Sequence, residues 1–214
     1  MAKRTGRNAR IAVLAGVNGA GKSSVAGAMV RDSGGEYWNP DEAARKILER
    51  NPSLSIVEAN SLAWQEGVKR LRSAIESGAD FTFETTLGGE TIPSLLAEAA
   101  RAGAEVRVWF AGLANVDLHL SRIESRVKAG GHHVPEAVVR RRYQSSRLNL
   151  IRLLPDLAEL RVFDNSSDAD PRQGATPRPV LLLHMKEGRV VEPKDFRKTP
   201  DWAKPIVAAA LRKA

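Results

Sequence analysis

Ile11 to Ala15 form a short apolar run that leads straight into Gly16-Val17-Asn18-Gly19-Ala20-Gly21-Lys22-Ser23, a full match to G-x-x-x-x-G-K-[ST]. A helical pattern follows from Lys22 to Val30, so the motif stands between a buried-strand pattern and an amphipathic helix. Each part has a physical task. The three glycines open backbone conformations closed to side chains, letting successive N–H groups converge on a phosphate. The helix start adds unpaired donors and the positive end of its dipole. Lys22 is placed to reach the β- and γ-phosphates, and the Ser23 hydroxyl to take a position on Mg²⁺. Gly16, Val17, Asn18, Gly19, Ala20, Gly21, Lys22, Ser23 and Ser24 are therefore the expected nucleotide-binding set. The motif points to a nucleoside triphosphate.

A length of 214 residues suits one α/β domain with a sizeable core. The absence of cysteine removes disulfides, thiolate catalysis and cysteine-based zinc sites. No apolar run approaches the roughly 20 residues a membrane helix needs. The basic start MAKRTGRNAR leads into strand one and not into a signal-peptide apolar segment, so a cytoplasmic location is the expectation. The net charge of +8 favours acidic partners. Nucleic acid is disfavoured nonetheless, because the basic residues are spread out and aromatics make up only 5%, too few for a base-stacking strand. A cleft for two phosphorylated substrates also needs cations.

Along the chain, strand patterns at Ile11–Ala15, Glu36–Trp38, Phe81–Phe83, Val106–Ala111 and Leu160–Phe163 alternate with helical ones. The helices begin at Asn39, Ser53, Ile92, Val116 and Pro135. In the long second one, Val57, Trp64, Val68, Leu71 and Ile75 share one face. Residues 168–179 read as a polar, Pro-rich loop, Val180–His184 with Arg189–Val191 as a hairpin, and Pro200–Arg212 as a closing helix. The expected fold is a P-loop NTPase: an α/β architecture with a mostly parallel sheet, helices on both faces, a helical lid, and a C-terminal hairpin plus helix. It forms a single domain over residues 1–214. Its core covers about 10–165, its lid about 116–147 and its C-terminal extension about 168–214.

In such sheets ligands bind beyond the carboxyl ends of the strands. Strand two delivers Asn39 and Asp41, strand three Glu84, Thr85 and Thr86, and strand five Asp164, Asn165 and Ser166. Topology is expected to bring most of these distant residues to one crevice. The plainer readings are a dipole-favoured acid at a helix start for Asp41, and a helix or turn cap for Glu84-Thr85-Thr86. Phosphoryl transfer to a hydroxyl needs a nearby carboxylate and cations to spread the equatorial charge. Asp41 is the candidate for that carboxylate, with Asn39, Glu84, Thr85 and Thr86 as candidate acceptor-binding residues. Arg122 and Arg126, four apart, share a helix face. Gly130-Gly131 forms a hinge, His132 and His133 follow, and Arg140, Arg141, Arg142 and Arg147 line the next helix. A mobile helix–loop–helix bearing arginines is what a kinase lid requires. The alternative is a solvated basic face. The adjacent histidines lack zinc-ligand spacing.

Several segments together resemble the zeta-toxin-like P-loop kinases: AGVNGAGKSS (15–24), WNPDEAARKI (38–47), FTFETTL (81–87), SRIESRVKAGGHHVPEAVVRRRYQSSRLNL (121–150) and VFDNS (162–166). The resemblance implies ATP and Mg²⁺ as cofactors, and a hydroxyl of a UDP-activated amino sugar such as UDP-N-acetylglucosamine as acceptor. It further implies Asp41 as catalytic base, Lys22 and Ser23 in phosphate and metal roles, and Glu84 and Thr86 on the acceptor. Arg122 or Arg126 would clamp the transferred phosphoryl group, joined by Arg140, Arg141 or a protonated His132. Asn165 would lie near the nucleotide base. Toxin members work with an antitoxin protein, which is the partner implied, although no residue here signals one. Two other readings stay open at this point: a regulatory ATPase acting on a protein partner, and a kinase for another acceptor, including a polynucleotide 5′-hydroxyl.

Overall fold

A computed structural model describes residues 8–23, 25, 37–167 and 179–212. Its seven-stranded sheet has the order β2-β3-β1-β4-β5-β6-β7. Strand β1 (Arg10–Ala15) is central, with β3 (Phe81–Thr85) on one side and β4 (Glu105–Gly112) on the other. Strands β2 (Tyr37–Trp38) and β5 (Glu159–Asp164) complete a parallel set of five. Parallel pairing puts all five carboxyl ends at one edge, which gathers the phosphate loop, Asn39, Glu84 and Asn165 there. The hairpin of β6 (Val180–Lys186) and β7 (Arg189–Glu192) adds antiparallel strands beyond β5.

Strand periodicity explains why β1 is apolar throughout. Ile11, Val13 and Ala15 join the large core beneath helices α3 (Thr91–Arg101), α5 (Glu136–Leu153) and α6 (Lys204–Leu211), while Ala12 and Leu14 pack with Val25 and Trp109 on the other face. A strand buried on both faces has no room for the polar alternation of a half-exposed one. Each fully buried Ile or Leu is worth about 1.5–3 kcal/mol. Trp202 is core, 3% exposed, with its ring 6.3 Å from that of Phe110.

Helix α1 (Pro40–Arg50) starts at Asn39, whose side chain accepts from the N–H groups of Asp41 and Glu42, with Pro40 in the first turn. Helix α2 (Ile56–Ser77) begins later than its periodicity implies, because Ser55 and Glu58 form a capping box, and it ends on left-handed Gly78. Its expected apolar face is also split. Leu71 is buried, and Val68 and Ile75 pack on the core. Val57 and Trp64 are instead 77% and 48% exposed. The reason is that α2 meets α1 through Ala43, Ala44, Ala59 and Ala63, small residues that turn the larger ones aside. Helix α4 (Val116–Lys128) is capped by Asn115 and leads through Gly130 to α5. The expected helix over Lys22–Val30 and the loop over 168–179 fall mostly outside the described residues, as does Ser24. Among the described residues no helix is long and apolar enough to cross a membrane.

Candidate active site at the phosphate loop

The loop after β1 has the backbone its glycines allow, with φ of 146°, 80° and 71° at Gly16, Gly19 and Gly21. At Gly19 a Cβ would stand 2.6 Å from the His119 carbonyl oxygen, so the loop and α4 can approach only if that residue is glycine. Val17 and Ala20 are buried against neighbouring helices and strands, which anchors the loop from below. Ser23, at the helix start, is exposed.

Lys22 folds back over the loop. Its ammonium donates to the Gly16 carbonyl at 2.9 Å and lies 3.2 Å from Glu84 Oε1. The other Glu84 oxygen accepts from the Tyr37 hydroxyl at 2.7 Å and from Asn39 Nδ2 at 3.3 Å. Burial first, and then the Glu84 charge, pushes the Tyr37 phenol up from its ordinary range. One carboxylate therefore ties together the exits of β1, β2 and β3. Asn39 has two tasks, since its oxygen caps α1 while its amide holds Glu84.

Asp41 projects from the first turn of α1, 46% exposed. Two lid residues face it: Arg126 Nη1 at 3.7 Å and His132 Nε2 at 3.9 Å. The backbone beyond β3 is gripped by α5. Ser146 donates to the Thr86 carbonyl, Ser145 to the Gly88 carbonyl, and Asn149 to those of Leu87 and Gly89. Thr85 Oγ1 accepts from the Leu87 N–H, and Thr86 Oγ1 accepts from that of Gly88, so both hydroxyls support the bend at Leu87, whose φ is 54°. Asp41, Glu84, Thr85, Thr86, His132 and Arg142 border a cavity of about 480 Å³, within the range of small-molecule sites.

The arginines divide. Arg122 donates to the Ser167 carbonyl and reaches toward Gly21. Arg140 pairs with Glu136 at 2.6 Å and Asp117 at 3.2 Å, and it does not border the cavity. Its expected clamp position is corrected accordingly: two acids on the outer faces of α4 and α5 draw it away. Arg142 stands at the site in its place, donating to Asn18 Oδ1 at 2.9 Å. Burial first, then the Arg141 charge, holds its guanidinium below the usual range. Arg147 stacks on Tyr143 and bonds the Trp202 carbonyl, a framework role. Asn165, 1% exposed, donates to the Ala20 and Gly21 carbonyls, so it sits beneath the phosphate loop. Its Oδ1 takes no hydrogen bond among the described residues.

His119 gave no signal in the sequence. It is 1% exposed, with Nδ1 2.8 Å from the Asn18 carbonyl oxygen. Burial lowers its pKa to about 4, so the ring is neutral at pH 7. A carbonyl only accepts, which puts the proton on Nδ1. The polar Ser145, Ser146 and Asn149 are legible after the fact as a stripe at helical spacing inside an otherwise apolar face.

The model of the AAA domain family matches residues 11–148. The chain belongs to that family. An uncharacterized protein of Haemophilus influenzae is 31% identical over 128 residues, a match covering 60% of this chain and 88% of that protein. Among solved structures, the AvrRxo1-ORF1:AvrRxo1-ORF2 complex with sulphate ions has a TM-score of 0.63 at 16% identity, covering 96% of this chain and 64% of the other. The same complex with ATP gives 0.62 at 18%. A chain from the PezAT chromosomal toxin-antitoxin system of Streptococcus pneumoniae gives 0.57 at 13%, covering 99% and 87%. The present chain thus spans about two thirds of the AvrRxo1 chain it matches. Identities this low speak for the fold alone, and this AAA domain protein shares the P-loop α/β fold of the AvrRxo1 and PezAT chains.

Proposed function

We propose that this AAA domain protein is an ATP-dependent small-molecule kinase that moves the γ-phosphate to an acceptor hydroxyl. The observation that carries this reading is the shared boundary of the two sites. Glu84 touches Lys22 of the phosphate loop and lines the cavity that also holds Asp41. An alcohol in that cavity has a carboxylate at hand for its proton and the loop at hand for the phosphate.

In the reaction, the triphosphate takes the place of Glu84 and the Gly16 carbonyl as the partner of the Lys22 ammonium. Asp41 accepts the hydroxyl proton as the alcohol oxygen bonds to the γ-phosphorus and the bond to ADP breaks. Arg126, and Arg142 beside Asn18, supply positive charge around the equatorial oxygens. His132 to Pro135 line the cavity beside Asp41, with Arg126 facing the same carboxylate, and closure of this segment on an acceptor would favour exclusion of water. The donors fit Mg²⁺: Ser23, at the helix start after the phosphate loop, offers one exposed hydroxyl. That suits an ion held chiefly by phosphate oxygens and water. When bound it would neutralise charge on the β- and γ-phosphates.

The family resemblance supplies UDP-N-acetylglucosamine as the first acceptor to try. The test is incubation with ATP, Mg²⁺ and a panel of hydroxyl compounds, followed by mass spectrometry of each acceptor. Slow ATP hydrolysis with no acceptor gaining a phosphate would refute the kinase reading. The likeness to the PezAT chain supports a protein antitoxin as a further proposal. Normal growth of cells expressing the chain alone would remove it.

A further inference from the structure

Resting on the kinase reading, and narrowing it, we propose that the acceptor is an uncharged alcohol whose aromatic or alicyclic body lies against the Trp64 side of the cavity. The lining separates into two kinds of surface. The charged groups gather by the phosphate loop and are already paired there: Asp41 with Arg126 and His132, Glu84 with Lys22, Arg142 with Asn18. The α2 side is apolar, made by Ile56, Val57, Trp64 and Val68, with Asn60 as the polar group among them. Trp38 extends this surface, because Gly67 lets its indole approach α2 to a distance at which a Cβ would meet Nε1 at 2.8 Å. Arg70 stacks on that indole, 4.4 Å from the ring centre, and fixes it.

Ile56, Val57 and Trp64 are 55%, 77% and 48% exposed, so about half or more of the surface of each is left uncovered by the fold. Their position in the same cavity as Asp41 gives that area an occupant. A ring set against the Trp64 indole covers it, and offset stacking adds to the gain. A nucleotide sugar brings a diphosphate, which calls for Arg, Lys or a row of backbone N–H groups. Arg142, the arginine that lines this cavity among the described residues, stands at the phosphate loop, and the α2 residues on the lining include neither Lys nor Arg. In the step itself the acceptor O–H bond breaks and its proton passes to Asp41. An O–P bond then forms to the γ-phosphorus of ATP, and the P–O bond to ADP breaks, giving a phosphate monoester.

The test supplies ATP, Mg²⁺ and, in separate reactions, 1-phenyl-1,2-ethanediol, cyclohexylmethanol or UDP-N-acetylglucosamine. The proposal expects a kcat/KM for the ring alcohols at least about tenfold above that for the nucleotide sugar. Trp64→Ala should raise their KM by about tenfold with kcat nearly unchanged, and Trp64→Phe should restore it. Thermal melting of each variant shows that it is folded. Faster transfer to UDP-N-acetylglucosamine, no transfer to either ring alcohol, or a KM indifferent to Trp64→Ala overturns the inference. In the first of these cases the kinase reading still stands. Intact ATP with every acceptor unchanged takes down both.

Discussion

Lys22 Nζ stands 3.2 Å from Glu84 Oε1, an ion pair between the phosphate loop and the end of β3 whose side chains are 9% and 15% exposed. A buried ammonium needs a counter-charge, and a bound triphosphate would provide a second one. Glu84→Gln should therefore destabilise the nucleotide-free protein by about 2 kcal/mol, or a fall of some 4–8 °C in Tm. ATP with Mg²⁺ should recover more stability in this variant than in the wild type. Melting curves with and without nucleotide check this, and equal nucleotide shifts in the two proteins would speak against it.

His119 makes the loop sensitive to acid. Its folded pKa is lowered to about 4 from 6.5, chiefly by burial, so between these values the unfolded chain binds a proton that the folded one does not. Its stabilising contribution is complete above pH 6.5 and is lost as pH falls toward 4, about 3 kcal/mol in all. Urea midpoints measured across that window should fall for the wild type. In His119→Phe the same curve should be flatter, because the titrating group is gone.

Asn149 donates to two carbonyls, those of Leu87 and Gly89, at 2.9 Å each. Asn149→Ala leaves both without that donor, at a cost of about 2–3 kcal/mol, and frees the bend beyond Thr86. The expected kinetic result is a raised acceptor KM with nucleotide affinity retained, measured by titrating each in turn.

Gly67 reverses a familiar trend. Gly→Ala inside a helix ordinarily stabilises by about 1 kcal/mol. Here the new methyl would meet the Trp38 indole at 2.8 Å, so the ring must move and its contact with Arg70 suffers. Gly67→Ala should show no gain in Tm and an altered tryptophan emission. A clear gain with unchanged emission would mean that Trp38 does not pack on this glycine.

Much of this arrangement was legible in the sequence. The phosphate loop, the strand alternation and the polar residues at strand ends follow from spacing, and the parallel sheet brings them together as periodicity implies. What stayed hidden depends on contacts between distant elements. Nothing local marks His119 as the partner of Asn18 or Arg142 as the arginine that reaches it, whereas Arg140 had a local sign in Glu136, four residues earlier on its helix, to which distant Asp117 adds. Val57 and Trp64 fit a helical core stripe perfectly well. The four alanines between α1 and α2 set the rotation that turns them to the cavity.

The central claim is that Asp41 takes the proton from the acceptor hydroxyl. Asp41→Asn keeps the shape of the side chain and removes its basicity. The decisive measurement is the single-turnover rate of phosphate transfer from ATP to an acceptor by this variant, alongside its ATP Kd. The account predicts a rate reduced by about 10²–10⁴ with a Kd close to the wild type. Transfer by Asp41→Asn at the wild-type rate would contradict it.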